Sequence, residues 1–238
     1  MEIKKTSLII PHYNNLIKLN GLCTNIMEWT QYPDQIIIVD TSDEQIDISL
    51  EFKNFCKEKK ININIIYRAK TFPGHARNIG IMNSSNYYLA FLDINTLPSK
   101  NWFFHTINSF KDKNIMGVWG STRYVVSNYK EKIMRAASFG VLPLITIPGS
   151  IFKRELFQSV GLFVESVRSG EDSDLISRIN LHNLNLKKGV SIIEYIGLEE
   201  YGFTSIVKKW YRNYYSCSIL PVTNTQRNIY FYGLIAIF

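Results

Sequence analysis

Residues 35–39 read Gln-Ile-Ile-Ile-Val, and Asp40 follows them. An unbroken apolar run rich in β-branched residues predicts a strand that is covered on both faces of its sheet. Similar runs lie at 7–10, 63–67 and 87–92, with amphipathic helical patterns between them. Alternating strands and helices predict an α/β fold that is doubly wound and Rossmann-like, with a mostly parallel sheet flanked by helices.

The helical patterns are clearer in the first half of the chain than in the second. Predicted helices of the first half are 16–29, 49–60 and one that opens near Gly74. The second half predicts a strand at 116–126 and helices at 130–137, 153–160 and 203–218. A chain of 238 residues without internal repeats can bury one sizeable core.

The composition is that of a folded protein. Hydrophobic residues make up 46% and charged residues 20% of the chain, which excludes wholesale disorder. The net charge of +7 is compatible with nucleic acid, anionic lipid headgroups or phosphate-bearing ligands. Cys23, Cys56 and Cys217 have no metal-ligand spacing, so we expect no zinc site, no disulfide framework and a reducing cytoplasm.

Polar residues follow three of the predicted strands, at 11–15, 40–44 and 93–95. Carboxyl ends of parallel strands meet at one edge of a sheet, which is where such folds bind ligands. Asp40 can accept a hydrogen bond from a base or ribose, or it can form a turn. Asp93 and Asn95 can hold a divalent cation beside a diphosphate, or they can form an Asx-turn.

Two glycine-containing stretches leave alternatives open. Residues 74–80 (Gly-His-Ala-Arg-Asn-Ile-Gly) combine the start of a helix with Arg77. They predict either an anion-binding surface or a helix whose glycines serve close packing. Residues 148–150 (Pro-Gly-Ser) predict a small-residue loop that lets a sugar or diphosphate approach the backbone, or a plain turn before a helix.

Residues 170–175 read Gly-Glu-Asp-Ser-Asp-Leu and place three carboxylates directly before an amphipathic run. Crowded carboxylates repel each other unless a ligand or a cation uses them. One of them is therefore a candidate general base at the start of a helix. The alternative is an acidic N-terminal cap, and in either case we expect Asp174 to cap or brace the helix.

The end of the chain is basic and aromatic. Residues 208–215 (Lys-Lys-Trp-Tyr-Arg-Asn-Tyr-Tyr) suit a membrane surface or the phosphate of an acceptor. The same mixture could stack single-stranded nucleic acid, but no recognition module supports that, and we expect no nucleic-acid partner. Residues 229–238 are almost wholly apolar and predict an interfacial helix or the first half of a membrane span.

Taken in order, these motifs resemble those of a family 2 glycosyltransferase of the GT-A fold. The resemblance covers about residues 5–184. The matching stretches are 9–14 (Ile-Ile-Pro-His-Tyr-Asn), 37–42 (Ile-Ile-Val-Asp-Thr-Ser), 74–80, 91–98 (Phe-Leu-Asp-Ile-Asn-Thr-Leu-Pro), 148–150, 160–163 (Val-Gly-Leu-Phe) and 170–175.

The resemblance implies a role for each part of the site. It implies that Asp172 is the catalytic base of an inverting transfer from a nucleoside-diphosphate-sugar to a hydroxyl. Asp93 would occupy the DxD position beside the ribose and metal, and Asn95 the place of its second acid, with Mg²⁺ or Mn²⁺ as the cofactor. The implied donor-binding residues are Pro11, Tyr13, Asp40, Arg77 and Asp93. The implied acceptor contacts are Glu171, Gly149 and Ser150.

The chain departs from the family pattern at two places. Asn95 replaces a carboxylate, and Ile193-Glu194-Tyr195 stands where the family often has a histidine.

We expect a glycosyltransferase domain at 1–202, with a donor-binding half at about 1–100 and an acceptor half at about 101–202. A helical segment at 203–238 follows this domain. The expected acceptor is a glycan or a lipid-linked molecule at the cytoplasmic face of a membrane. The alternative is a degenerate member that binds a nucleotide-sugar or glycan without turnover.

Overall fold

The computed structural model describes residues 4–198 and 202–220 and residues 228, 231, 232 and 235. Within them, nine strands form one sheet. The strands are β1 Thr6–His12, β2 Gln35–Asp40, β3 Asn62–Tyr67, β4 Tyr88–Phe91, β5 Thr96–Leu97, β6 Gly117–Tyr124, β7 Leu144–Lys153, β8 Leu186–Lys188 and β9 Ile193–Tyr195. The helices are α1 Leu16–Met27, α2 Leu50–Glu58, α3 Pro73–Met82, α4 Trp102–Asn108, α5 Tyr129–Ser138, α6 Arg154–Val160, α7 Glu171–Leu181 and α8 Phe203–Ile219.

The strand order is β3-β2-β1-β4-β7-β6-β9-β5, with β8 beside β6. The first four strands of this order pair in parallel, as predicted. Strand β7 runs antiparallel to both β4 and β6, so the second half of the sheet is mixed. The neighbouring parallel strands β1, β2 and β4 all end at the same edge, which confirms that the three predicted polar loops open together.

The core lies on both faces of the parallel strands. All six residues of β2 are buried, which explains why its sequence is apolar without alternation. Helices α1 and α2 cover one face, and α3 and α7 help to cover the other. Gly80 of α3 sits directly on β1, where an added Cβ would lie 2.4 Å from Cγ2 of Ile9. The glycine at this position therefore serves close packing of helix on sheet.

One sequence prediction is wrong. Pro148, Gly149 and Ser150 lie within strand β7 and not in a loop or turn before a helix. The pairing with β6 shifts register between Val118 and Gly120, as at a β-bulge. Gly149 has φ +89° there, and a Cβ at this residue would lie 2.3 Å from Cδ1 of Ile193. The small residues therefore allow a bulge inside the sheet.

Helix α8 confirms the predicted helix at the end of the chain, at Phe203–Ile219. Among the residues that the structure describes, none of the helices combines the length and the apolar character needed to cross a bilayer. The predicted apolar segment 229–238 lies almost entirely outside the described residues.

Candidate active site

A buried arginine gathers three carboxylates at the edge of the sheet. The side chain of Arg77 is 3% exposed. Its Nη1 donates hydrogen bonds to Oε1 of Glu171 at 2.9 Å and to Oδ1 of Asp172 at 3.0 Å. Its Nη2 donates to Oδ1 of Asp93 at 3.0 Å. The formal charge of this cluster is −2 when all its groups are ionised, so the site favours a further positive group or a protonated acid.

Local sequence explains how these residues meet. Helix α3 begins at Pro73, where the fixed φ of proline suits the first turn. Gly74 follows, and a Cβ there would lie 2.4 Å from the carbonyl oxygen of Val164 and 3.3 Å from Cβ of Glu171. The absence of a side chain at Gly74 therefore lets the N-terminus of α3 approach that of α7. Gly170, with φ +91°, turns the chain into α7 directly before Glu171 and Asp172.

The surroundings of the cluster change its acid–base properties. Burial is the largest cause that raises the pKa of Asp172 to about 7. The nearby Glu171 and Asp93 raise it as well, and Arg77 lowers it. Burial likewise raises the pKa of Glu171. Burial opposes the charge of Arg77, but the three carboxylates outweigh it and raise the pKa of its guanidinium.

Asp172 faces a small cavity of about 200 Å³. Its side chain is enclosed by protein atoms on most sides yet keeps 31% of its surface exposed. The cavity is also lined by Asp93, Tyr195, Arg123, Leu142 and Leu144. A carboxylate with a pKa near neutrality at the wall of such a cavity can accept a proton from a bound hydroxyl.

Tyr195 holds the second oxygen of Asp93. Its phenol donates a hydrogen bond to Oδ2 of Asp93 at 2.8 Å. Burial raises the pKa of Tyr195 well above its ordinary value, and the adjacent Asp93 adds to this effect. The phenol therefore stays a donor at any physiological pH. From the sequence, Tyr195 stood out only as a residue near the place of a missing histidine. No role was predicted for its side chain.

The residues predicted to bind the nucleotide lie at the ends of β1 and β2. Asp40 is buried, and its Oδ1 accepts from Oγ of Ser42 at 2.6 Å and is 2.8 Å from Nδ1 of His12. Burial raises the pKa of Asp40, but these hydrogen bonds outweigh it and lower the pKa below its usual value. The backbone N–H of Asn15 donates to Nε2 of His12, so the proton of this imidazole lies on Nδ1 and is directed at Asp40.

Asp40 and His12 thus hold the loops after β1 and β2 together. His12 is a structural residue of this edge that the sequence did not single out. Pro11 is the last but one residue of β1, and Tyr13 follows the strand with its ring exposed. The Nζ of Lys70 lies 4.8 Å from the centre of the Tyr13 ring. Contacts of Pro11, Tyr13 and Asp40 with a nucleotide stay predictions.

Gly149 and Ser150 are enclosed by the sheet. The hydroxyl of Ser150 accepts from the N–H of Gly120 at 2.7 Å and donates to the carbonyl oxygen of Thr146 at 2.7 Å. The carbonyl oxygen of Gly149 accepts from Nε1 of Trp102 at 3.3 Å. Both residues stabilise the bulge of β7, and their predicted contact with an acceptor stays a prediction.

A divalent cation fits this site only with ligands from a bound donor. The Oδ1 of Asn95 is buried without a hydrogen-bond partner, as expected of an oxygen that takes a ligand. Within the described part of the chain, no three His, Cys, Asp or Glu side chains are placed to hold a metal. Mg²⁺ is usually held by one or two protein ligands together with phosphate oxygens and water. Asp93 and Asn95 therefore fit a cation that also binds a diphosphate.

The third acid of the predicted cluster has a different partner. Asp174 accepts from Nη2 of Arg178 at 2.7 Å, one turn later in α7. Arg178 also donates to the carbonyl oxygens of Val160 and Leu162. Asp174 thus braces the helix, as the sequence predicted, and takes no part in the Arg77 cluster.

A larger groove, of about 1190 Å³, lies away from these residues. It is lined by Lys4, Lys5, Tyr87 and Tyr88, at the amino end of β4, whereas Asp93 follows the carboxyl end of that strand. None of the described residues that line it carries a carboxylate. The chemistry described above therefore belongs to the smaller cavity.

Solved structures share the fold of this chain. A mannosyltransferase from Pyrobaculum calidifontis, solved with GDP-Man and Mn²⁺, aligns with a TM-score of 0.61 at 14% identity, over 98% of this chain and 72% of its own. Residues 1–349 of TarS from S. aureus, solved with UDP-GlcNAc, align with a TM-score of 0.59 at 14% identity, over 97% of this chain and 71% of its own. At such identities the likeness shows the fold, which is that of GT-A glycosyltransferases.

The sequence comparison identifies the family. A family model described as glycosyl transferase family 2 matches residues 7–169. The chain therefore belongs to glycosyl transferase family 2 and carries a glycosyltransferase domain.

The relatives found by sequence are longer than this chain. A protein of Rickettsia bellii, described as an uncharacterized glycosyltransferase, is 30% identical over 198 residues, which is 79% of this chain and 28% of the relative. Glycosyltransferase AglE of Haloferax volcanii is 27% identical over 162 residues, 66% of this chain and 51% of its own. The chain thus spans less than a third of the rickettsial relative and about half of the haloarchaeal one.

Proposed function

We propose that this domain is an inverting glycosyltransferase in which Asp172 is the general base. The observation that carries the proposal is the position of Asp172 at the wall of the cavity, beside Asp93, with a pKa raised to about 7. A base of this pKa is ionised in a large fraction at neutral pH and still has a useful affinity for a proton.

The reaction would be a single displacement. The acceptor hydroxyl gives its proton to Asp172, and its oxygen attacks the anomeric carbon of the sugar. The bond from that carbon to the diphosphate breaks, and the nucleoside diphosphate leaves with the bonding electron pair. Inversion follows because the attack and the departure occur on opposite faces of the sugar.

The donor would lie along the carboxyl ends of β1, β2 and β4. Pro11, Tyr13 and Asp40 would contact the base and ribose, and Arg77 would hold Asp93 towards the donor. A Mg²⁺ or Mn²⁺ ion held by Asp93, Asn95 and the diphosphate would stabilise the negative charge of the leaving group. Glu171 would contact the acceptor from the start of α7, and the bulge at Gly149 and Ser150 would shape the acceptor side of the cavity.

We also infer how the chain is divided. Residues 1–202 would form the transferase domain, with the donor bound by about 1–100 and the acceptor by about 101–202. The basic and aromatic segment 203–238 would lie at the cytoplasmic face of a membrane. The acceptor would be a glycan or a lipid-linked molecule of the cell envelope.

The test is turnover by an Asp172→Asn variant. The amide cannot accept the proton, so we expect transfer and donor hydrolysis to fall by about a thousandfold or more. Binding of UDP-, GDP- or dTDP-sugars, measured by calorimetry, should change by less than about threefold. Transfer at the wild-type rate would remove Asp172 from the role of base. The configuration at the anomeric carbon of the product, read by NMR, tests inversion.

A second candidate is a domain that binds a nucleotide-sugar or glycan without turnover. The neutral amide of Asn95 at the second acidic position is the observation that favours it, because an amide binds a cation more weakly than a carboxylate. Donor binding by the wild type without hydrolysis or transfer, across a panel of donors and acceptors, would establish this candidate.

A further inference from the structure

Exposed apolar side chains are concentrated in one segment beside the cavity. Between residues 125 and 145, seven large apolar side chains are exposed: Val125, Tyr129, Ile133, Val141, Leu142, Leu144 and Ile145. We call these seven the 125–145 surface. Exposed apolar residues scattered singly need no explanation, but such a concentration marks a place that contacts an apolar partner.

Helix α5 presents part of this surface as a stripe. Tyr129, Ile133 and Ala136 are exposed and lie at positions i, i+4 and i+7, which form one face of a helix. Ile133 is 54% exposed. Lys130 and Lys132 are exposed as well, next to this stripe in sequence. Apolar residues flanked by lysines are typical of helices that lie in the interface of a membrane.

The acidic side chain of helix α5 is buried and does not face solvent. Glu131 is buried, and its carboxylate accepts from the N–H of Ser127 at 2.6 Å and from Nδ2 of Asn128 at 2.7 Å. Glu131 is the only acidic residue between 123 and 145, and the same stretch holds four basic residues. The charge that this segment presents to solvent is therefore positive, which suits anionic headgroups.

The surface continues into the candidate active site. Leu142, which is 76% exposed, and Leu144 also line the cavity that contains Asp172. Arg123 lines the same cavity and is exposed. A partner seated on this surface would thus meet the acceptor side of the cavity.

We propose that the 125–145 surface docks on an anionic lipid bilayer. The apolar side chains enter the interface between headgroups and acyl chains, and Lys130 and Lys132 contact lipid phosphates. This inference deepens the proposed function, on which it rests for the acceptor. A lipid-linked acceptor would lie in the same bilayer, and its polar end would reach Asp172 past Leu142 and Leu144.

Binding to vesicles tests the surface directly. The probes are vesicles of phosphatidylcholine alone and of phosphatidylcholine mixed with phosphatidylglycerol in about equal parts. We expect the wild type to sediment with the mixed vesicles, and more weakly at high salt. The double variant Tyr129→Glu/Ile133→Glu should bind the mixed vesicles at least about tenfold more weakly than the wild type. Both side chains are exposed, and a glutamate at position 129, in the first turn of α5, suits the helix dipole, so the fold should be kept, as circular dichroism can check.

Leu181→Glu is the matched control. Leu181 ends α7, is 73% exposed and lies outside the 125–145 surface. This variant should bind mixed vesicles as the wild type does. Equal binding by the wild type and the double variant would overturn the proposal. So would a dimer in solution that only the double variant dissociates, since it would assign the surface to a second copy of the chain.

A second readout separates this inference from the proposed function. Tyr129 and Ile133 do not line the cavity, so donor binding and donor hydrolysis by the double variant should match the wild type. Vesicle binding without any hydrolysis or transfer would contradict the proposed function and leave the membrane surface standing. Hydrolysis without vesicle binding would support the proposed function and overturn the membrane surface.

Discussion

The phenol of Tyr195 donates to Oδ2 of Asp93 at 2.8 Å, while Arg77 occupies Oδ1 of the same carboxylate. Sheet pairing explains this contact. Strand β5 begins directly after Asn95, and its Thr96 pairs with Tyr195 of β9. The N–H of Ile196 also donates to the carbonyl oxygen of Asn95 at 2.9 Å. A carboxylate held at both oxygens is fixed in orientation before any donor binds.

Tyr195→Phe should therefore weaken donor binding. Loss of one hydrogen bond to a charged group costs about 1.5–3 kcal/mol, or about ten- to a hundredfold in affinity. Calorimetry with a nucleotide-sugar, with and without Mn²⁺, measures the effect, and KM should rise more than kcat falls. Tyr87→Phe is the control, because the Tyr87 hydroxyl donates to Oε1 of Glu155 at the amino end of β4, away from the cavity. An unchanged affinity in Tyr195→Phe would show that Arg77 alone orients Asp93.

Activity should depend on pH through Asp172. The pKa of this carboxyl is raised to about 7, and only the ionised form can accept a proton. The ratio kcat/KM should consequently rise with pH, with its midpoint at about pH 7, and level off only at higher pH. A profile with its midpoint near pH 4, the ordinary value for an aspartate, would contradict this assignment.

Arg77→Gln should destabilise the domain. The change leaves Glu171, Asp172 and Asp93 crowded without their counter-ion, and breaking such a buried pair costs about 3–5 kcal/mol. Urea unfolding measures this loss. Lys53→Gln, which breaks an exposed pair with Asp47, should cost less than about 1 kcal/mol.

The loss caused by Arg77→Gln should also depend on pH. Without the guanidinium, the carboxyls of Asp172 and Glu171 keep pKa values above those of the unfolded chain, so the folded state binds more protons. Stability then falls as pH rises through the interval between the two sets of pKa values. The loss should be smallest at acidic pH, and a loss that grows on acidification would argue against this account.

Two helical glycines should respond in opposite directions to alanine. Gly80→Ala places a Cβ 2.4 Å from Ile9 at the surface of the sheet and should cost about 1–3 kcal/mol in unfolding free energy. Gly21→Ala in α1 meets no atom within 4 Å and should stabilise the domain by about 0.5–1 kcal/mol. Thermal unfolding of the two variants provides the comparison, and equal midpoints would show that α3 can shift on β1.

Asn95→Asp tests whether a cation uses this position. A carboxylate at the place of the unpartnered amide oxygen should bind Mn²⁺ several-fold more tightly in the presence of UDP. Titration of Mn²⁺ followed by electron paramagnetic resonance gives the affinity. Ser99→Asp adds the same charge at an exposed position and should leave the affinity unchanged. A similar affinity for wild type and Asn95→Asp would place the ion elsewhere.

Strands β1, β2 and β4 were predictable because they are almost wholly buried and carry continuous apolar runs. Strand β3 lies at the end of the sheet and is mostly half-buried, but its isoleucines at 63, 65 and 66 still predicted it. Strands β5, β8 and β9 were not predictable, since two or three residues carry no periodic pattern. Strand β7 was missed because proline and glycine at 148 and 149 are typical of a turn, and only the register of its neighbour β6 shows that they form a bulge.

The candidate site was predictable in its residues and not in its contacts. Position at strand and helix ends singled out Asp93, Arg77 and Asp172. Their convergence on one guanidinium depends on the packing of α3 against α7, which a single sequence does not encode in any local pattern. Tyr195 stood out only by its place near the family's histidine, and its strand of three residues carried no pattern that could predict the contact with Asp93.

The arginine cluster makes the site a property of the whole domain. Arg77 is separated from Asp93 by 16 positions and from Asp172 by 95. A nascent chain that had folded only its first hundred residues would hold Arg77 beside Asp93 alone, without Glu171 and Asp172. The two halves of the domain should therefore gain stability and chemical competence in the same cooperative step, when α7 docks onto α3.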